Sequence, residues 1–193
     1  MTDRAGQSAG GGRADGGPLA GRRIVEIGGE RGLYCGKLLA DMGAEVIRVE
    51  TPGGDAVRDL RPHRTGVSGP LRSLPFAFFN AGKRSVEFDL ALTADREHAL
   101  ALMRGADAVI MSPREMPAGA DDAAALQPSA LIETSPHLVV TTISDFGASG
   151  PRAGWRGSDL VDAALGGAMH VTGFPDDPPV TMAGSQAFVS AGA

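Results

Sequence analysis

The chain has 193 residues, of which 42% are apolar and 21% charged, with a formal net charge of −5. This size and composition are typical of one globular domain and exclude a disordered or fibrous chain. The acidic balance argues against duplex nucleic acid as a partner, and the single cysteine, Cys35, excludes an intramolecular disulfide and a cysteine-built metal site.

The N-terminal part of the chain shows no pattern that could build structure. Residues 1–17 are rich in glycine and alanine and carry no apolar run, so we predict a disordered tail there and a single domain over residues 18–193. The sequence also lacks an apolar run of about 18 residues, the length that a membrane span needs. We therefore expect no membrane association, no secretory signal and a cytoplasmic location.

A βαβ unit is predicted immediately after the tail. Residues 23–28 form a short apolar, β-prone run, residues 33–42 place Leu38, Leu39 and Met42 at helical spacing, and residues 45–50 form a second strand. A glycine-rich turn joins the first strand to the helix. The two strands should be parallel, with a right-handed crossover.

The remaining pattern alternates strands and helices, which predicts an α/β fold with a mostly parallel, Rossmann-like sheet flanked by helices. The breaker-rich stretch 51–75 is predicted as a long surface loop. Strands are expected at 85–90, 106–111 and 138–144, the last of them β-branched and long enough to be central. Helices are expected at 93–103, 122–125 and 159–169. The final run, 187–193, has no helix stop, and we interpret the chain as the N-terminal portion of a longer protein.

The turn Glu26-Ile-Gly-Gly-Glu-Arg-Gly32 has the outline of a nucleotide site. Glycines let a backbone approach a ligand, and Glu50, at the end of the next strand, could bind a ribose hydroxyl. The pattern lacks the full dinucleotide fingerprint and also suits S-adenosylmethionine, so several cofactor classes remain open. The alternative is a tight turn, with Glu50 as a solvated strand end.

Two later segments are candidate ligand sites. Asn80-Ala-Gly-Lys-Arg-Ser85 places two cations beside a glycine, which suits phosphate, with a solvated turn as the alternative. Asp145-Phe-Gly-Ala-Ser-Gly-Pro151 follows a strand at its carboxyl end, where open α/β sheets bind ligands. Downstream, Ser158 or Asp159 is expected to cap a helix.

The four histidines form no triad or metal pair in the sequence. Only His170 is kept as an active-site candidate, with a structural role as its alternative. Cys35 lies on an apolar helix face and is predicted to be a small buried hydrophobe rather than a nucleophile.

Seven segments in order resemble the family III CoA-transferases, a group that includes formyl-CoA and carnitine CoA-transferases and the α-methylacyl-CoA racemases. The segments are residues 18–27, 34–55, 80–90, 106–110, 144–151, 157–159 and 173–179. The S-adenosylmethionine alternative explains the first βαβ unit alone.

The resemblance implies the large domain of an enzyme that transfers CoA between carboxylic acids through acyl-CoA thioesters. It implies CoA as the ligand, no metal, a second smaller domain and an interlocked homodimer. Residues 145–150 would line the acyl end. The residues that it places around CoA are Glu30, Arg31, Gly32, Lys83, Arg84, Ser112, Phe146 and Gly147.

The chain also departs from this family at its reactive groups. Family transferases use an aspartate nucleophile, and the matching position here falls at Phe188 or Val189, with no carboxylate anywhere in residues 178–193. Ser158 stands where the racemases have a histidine, and Ser112 begins a Ser-Pro pair where an Asn-Phe pair is common near the adenine. A catalytically inactive CoA-binding relative or fragment is therefore the alternative function.

Overall fold

The computed structural model describes residues 16–54, 56–69, 71–112, 116 and 124–193. Within these residues five parallel strands form one sheet in the order β3-β2-β1-β4-β5. The strands are β1 Arg23–Ile27, β2 Glu45–Glu50, β3 Arg84–Glu87, β4 Ala108–Met111 and β5 Val139–Thr142. The helices are α1 Leu33–Asp41, α2 Leu74–Phe79, α3 Thr93–Arg104, α4 Pro128–Thr134, α5 Asp159–Leu165 and α6 Gln186–Gly192.

The three central strands, β2, β1 and β4, are buried on both faces because they alternate their apolar side chains between two helical layers. On one face, strand residues such as Val25 and Val109 pack against Met103 of α3 and Leu131 of α4. On the other, a second cluster that includes Ile24 packs against α1. The predicted α/β architecture with helices on both sides of a parallel sheet is confirmed.

The stretch 51–75, predicted as a loop throughout, contains two helical pieces. A 3-10 turn covers Ala56–Asp59, and α2 begins at Leu74. Ser73 caps α2, since its hydroxyl accepts a hydrogen bond from the Phe76 amide at 3.0 Å, and Pro75 lies in the first turn. The prediction was wrong here because it rested on the breakers Pro62, Gly66, Gly69 and Pro70, which lie between the two helical pieces rather than within them.

The strand predicted at 138–144 is shorter and lies at the edge of the described sheet, not at its centre. β5 pairs with β4 alone, and Val139 is 60% exposed. A β-branched composition indicates a strand but does not say how many neighbours it has.

Other boundaries also differ from the prediction. α5 ends at Leu165 because Gly166 and Gly167 interrupt it, and a separate 3-10 turn spans Ala168–Val171. α4 was not predicted, and Pro128 occupies its first turn. Residues 122–123 of the helix expected at 122–125 lie outside the described residues, as do residues 1–15 of the predicted tail. Ala124–Leu126 forms a 3-10 turn.

Candidate functional site

The carboxyl ends of β1, β4 and β5 meet at one edge of the sheet, where parallel α/β folds bind ligands. The turn 28–32 after β1 lies directly against Ser112, which follows β4. Gly28 has a φ of +117°, and a Cβ there would come within 2.9 Å of the Ser112 Cβ. A larger residue at position 28 would therefore push the turn away from β4.

A buried ion pair joins this turn to the segment after β5. Arg31 donates from Nε to Asp145 Oδ1 at 2.5 Å and from Nη2 to Oδ2 at 3.0 Å, and the two side chains are only 9% and 3% exposed. The Gly157 amide donates a third bond to Asp145 at 3.1 Å. Burial raises the pKa of Asp145, but the hydrogen bonds and the charge of Arg31 outweigh it, so that the pKa lies below its ordinary value.

A second carboxyl group, Asp162 of α5, lies beside this pair. Burial, followed by the hydrogen bond and the negative charge of Asp145, raises the pKa of Asp162 to about 6. Its Oδ1 atom is buried and accepts no hydrogen bond from any residue in the part of the chain that the structure describes. Asp162 was not among the predicted site residues, because nothing in its local sequence distinguishes it from a surface aspartate on a helix.

The helix that carries the expected nucleophile position is anchored onto the same cluster. Phe188 of α6 is 8% exposed, and the Arg31 guanidinium carbon lies 4.7 Å from the centre of its ring. The Phe188 amide donates to Asp159 Oδ1 at 3.1 Å, and the Ser185 hydroxyl donates to the Glu30 carboxylate. The resemblance puts a carboxylate at Phe188 or Val189, and both of these positions carry apolar side chains.

Ser158 and Asp159, the two predicted caps, have separate roles. The Ser158 hydroxyl caps α5 by accepting from the Val161 amide at 3.3 Å, which confirms the expectation for that residue. The Asp159 carboxylate accepts instead from the first turn of α6, so it fixes one helix to the other.

Lys83 is buried, which rules out a solvated turn at this residue. Its Nζ donates to Glu26 Oε2 at 2.7 Å and to the Leu33 carbonyl at 2.8 Å, and Arg48 pairs with the same carboxylate. Burial lowers the pKa of Lys83, and the charge of Glu26 opposes the shift. Glu26 and Arg48 were not among the predicted site residues, although a charged residue within an apolar strand is a signal that could have identified them.

Arg84 lies apart from Lys83. Its side chain is 67% exposed and binds Glu45 at 2.6 Å, at the amino end of β2 and away from the turn that follows β1. The structure thus brings Glu30, Arg31, Gly32, Lys83 and Ser112 together but leaves Arg84 outside.

Glu50 is neither a solvated strand end nor an exposed acid ready for a ribose. It is fully buried, and both carboxylate oxygens accept hydrogen bonds from Arg58, at 2.5 and 2.7 Å. The Ser85 hydroxyl donates to it at 2.5 Å. Arg58 belongs to the stretch predicted as a loop, which is why this ion pair was missed.

The other candidate residues are spread around the site. The Phe146 ring packs edge-on against Trp155 at 5.7 Å, and the exposed Gly147 has a φ of +82°. His170 is exposed on the 3-10 turn after α5. Cys35 packs with the apolar cluster on α1, and burial, aided by the charge of Glu26, raises the pKa of its thiol. Cys35 is partly rather than fully buried, and its contacts are those of a packing residue.

No group of three or more His, Cys, Asp or Glu side chains among the described residues is arranged to hold a metal ion. None of the helices in the described part of the chain is both long and apolar enough to cross a membrane.

The comparisons with known proteins agree with this geometry. The family model described as CoA-transferase family III matches residues 19–193. The chain belongs to this family. Over 166 residues the chain is 39% identical to the BbsE subunit of succinyl-CoA:(R)-benzylsuccinate CoA-transferase from Thauera aromatica. The aligned region covers 86% of this chain and 40% of that protein. The chain is also 39% identical to succinyl-CoA:mesaconate CoA-transferase from Haloarcula hispanica, and the aligned region covers 77% of this chain and 38% of that protein.

Solved structures of the family have the same fold. A CAIB/BAIF family protein from Brucella suis superposes with a TM-score of 0.78 at 33% identity, covering 90% of this chain and 45% of that one. The chain spans about 40% of the length of the curated relatives that it matches. The predicted family is confirmed.

Proposed function

We propose that this chain is the CoA-binding part of a CoA-transferase, which moves CoA between carboxylic acids through acyl-CoA thioesters. The observation that supports this function is the match to the family over residues 19–193, which includes the βαβ unit and every candidate ligand segment. Because the match continues far beyond the βαβ unit, it also removes the basis for an S-adenosylmethionine site.

In this proposal CoA lies along the carboxyl edge of the sheet. The turn 30–32 and Ser112 face each other there, and the Arg31–Asp145 pair fixes the turn so that backbone amides can approach the cofactor. Lys83 supports the turn through its bond to the Leu33 carbonyl. Phe146 and Gly147, next to Asp145, would lie at the acyl end.

The alternative is a CoA-binding chain that does not itself catalyse the transfer. The expected nucleophile position falls at Phe188 or Val189, and this specifically favours a non-catalytic chain, because neither side chain can form an acyl anhydride. Such a chain would bind CoA and take its reactive carboxylate from a partner.

Assembly and location are further parts of the proposal. A homodimer follows from the resemblance to the family, and a cytoplasmic location fits the single cysteine, since disulfide-free chains are typical of reducing compartments. Size-exclusion chromatography with light scattering tests the first, and fractionation of the source cells tests the second.

Calorimetry with free CoA, S-adenosylmethionine and NAD tests the binding step directly. We expect CoA alone to bind, and binding of S-adenosylmethionine alone would refute the proposal. An exchange assay with succinyl-CoA, the CoA donor in the names of the two relatives, then tests catalysis. Phe146→Ala should weaken the binding of acyl-CoA more than the binding of free CoA. The matched control Phe174→Ala, at a ring that is 78% exposed, should change neither affinity.

A further inference from the structure

The turn 28–32, which the proposed function places against CoA, is held at both of its ends by buried cations. Nη2 of Arg48, on β2, donates to the Gly28 carbonyl at 2.7 Å, where the turn begins. Nζ of Lys83, immediately before β3, donates to the Leu33 carbonyl at 2.8 Å, directly after the turn ends. Hydrogen bonds from charged donors are the stronger class. Two side chains from different parts of the sheet therefore fix where the turn starts and where it stops.

A single carboxylate joins the two cations. Glu26, on β1, accepts from Lys83 at Oε2 over 2.7 Å and from Arg48 at Oε1. Each of the three side chains is 1% exposed. Removal of one partner from a buried ion pair leaves the other with an uncompensated charge, so the remaining groups must rearrange. A change in any of the three therefore reaches both ends of the turn.

The surroundings of Lys83 do not suit a direct ligand of CoA. Its Nζ is enclosed by Glu26, by the Leu33 carbonyl and by α1, and a Cβ added at Gly36 would lie 3.0 Å from it. A lysine that binds phosphate uses its ammonium group as a point charge and has to bring it next to the anion. The Lys83 ammonium lies instead behind the turn, bonded to the backbone that forms it.

We propose that Glu26, Arg48 and Lys83 are positioning residues of the CoA site, which set the backbone of the turn 28–32 for the cofactor, and that Lys83 does not itself contact CoA. This inference rests on the proposed function. A turn whose ends are already fixed loses less conformational freedom when the ligand binds, and this preorganisation increases affinity.

The direction of the effect of Glu26→Gln separates positioning from direct contact. Glutamine keeps the shape of the side chain and removes its negative charge. If Lys83 bound a phosphate of CoA, loss of that charge would strengthen the attraction for the polyanionic cofactor, and the Kd would fall. In a positioning role the turn shifts, and we expect the Kd for CoA to rise by about 10-fold or more, as in Lys83→Met. Calorimetry at one fixed salt concentration measures both values.

A double variant and a stability control complete this experiment. Because the residues act through one shared cluster, Glu26→Gln combined with Lys83→Met should weaken CoA binding no more than the larger single change. Leu131→Ala removes a fully buried side chain of α4, in the helical layer on the opposite face of the sheet from α1. It should lower Tm but leave the Kd unchanged, which shows that lost stability alone does not affect the readout.

A measurement on the unaltered protein tests the placement of Lys83. Lys37 and Lys83 are the two lysines of the chain. Reductive methylation followed by peptide mass spectrometry should modify the half-buried Lys37 faster than Lys83, and CoA should not change the rate at Lys83. Burial lowers the pKa of Lys83, so an accessible Lys83 would react the faster of the two. Rapid methylation of Lys83 that CoA suppresses would identify a direct ligand and overturn the inference.

The outcomes also separate this inference from the proposed function. An unchanged or lower Kd for CoA in a folded Glu26→Gln variant would overturn the positioning role and leave CoA binding in place. A wild type that binds no CoA would refute the proposed function and the inference with it. Circular dichroism shows whether each variant is folded, and if neither is, methylation of the wild type decides between contact and positioning.

Discussion

Replacing Gly36 by alanine is expected to destabilise the protein, although alanine favours helices. Gly36 is buried in α1, and a Cβ at this position would overlap Oε2 of Glu26. That oxygen accepts from Lys83 at 2.7 Å, while Arg48 holds the other carboxylate oxygen. Glu26 therefore cannot move aside without breaking a buried ion pair.

The magnitude follows from two opposing contributions. Glycine to alanine inside a helix stabilises by about 1 kcal/mol. Breaking a buried ion pair costs about 3–5 kcal/mol, so we expect a net loss of about 2–4 kcal/mol. For a chain of this size each kcal/mol lowers Tm by about 2–4 °C, which corresponds to a Tm lower by roughly 4–16 °C.

Urea unfolding followed by far-ultraviolet circular dichroism measures the free energy, and a thermal scan measures Tm. Gly154→Ala is the control, since a Cβ there meets no atom within 4 Å, and its stability should change by less than about 0.5 kcal/mol. A Gly36→Ala variant as stable as the wild type, or more stable, would refute the reasoning. Such a result would mean that Glu26 does not form the buried ion pairs described.

Three further predictions concern the ionisable groups. Asp145→Asn removes one partner of the buried Arg31 fork and should cost about 3 kcal/mol in urea unfolding, whereas Asp59→Asn, at an exposed pair, should cost less than about 1 kcal/mol. The folded-state pKa of Asp162 is raised to about 6, so ionisation of this group destabilises the fold as pH rises from about 4 through 6. Asp162→Asn should therefore increase the free energy of unfolding more at pH 8 than at pH 4. An equal effect at both pH values would contradict this prediction. The Cys35 thiol, with its pKa raised by burial, should react with a disulfide reagent slowly at pH 8 and much faster in urea; equal rates would show that it is exposed.

The first βαβ unit could be predicted from the sequence because its signals are local. A short apolar run, a glycine-rich turn, and apolar residues at helical spacing each depend on neighbours within a few positions. β1, α1 and β2 accordingly lie within one residue of their predicted ends. The family could also be predicted, since several segments in a fixed order are more specific than any one of them, and the family model confirms it.

The site itself depends on contacts that no local pattern contains. Arg31 and Asp145 are 114 positions apart, and Lys83 and Glu26 are 57 apart. A lysine beside a glycine has the same local sequence whether it is solvated or buried, and only the strand order decides which carboxylate it meets.

The sequence by itself thus determined the parallel α/β fold, the family, and the lack of a carboxylate at residues 178–193. The tertiary structure alone decided that Lys83 and Glu50 are buried in ion pairs, that β5 is an edge strand, and that Asp162 lines a cavity beside α6. The physical reason is that secondary structure follows from short-range sterics and periodicity. The charge state and availability of a side chain follow instead from the groups that the chain topology packs around it.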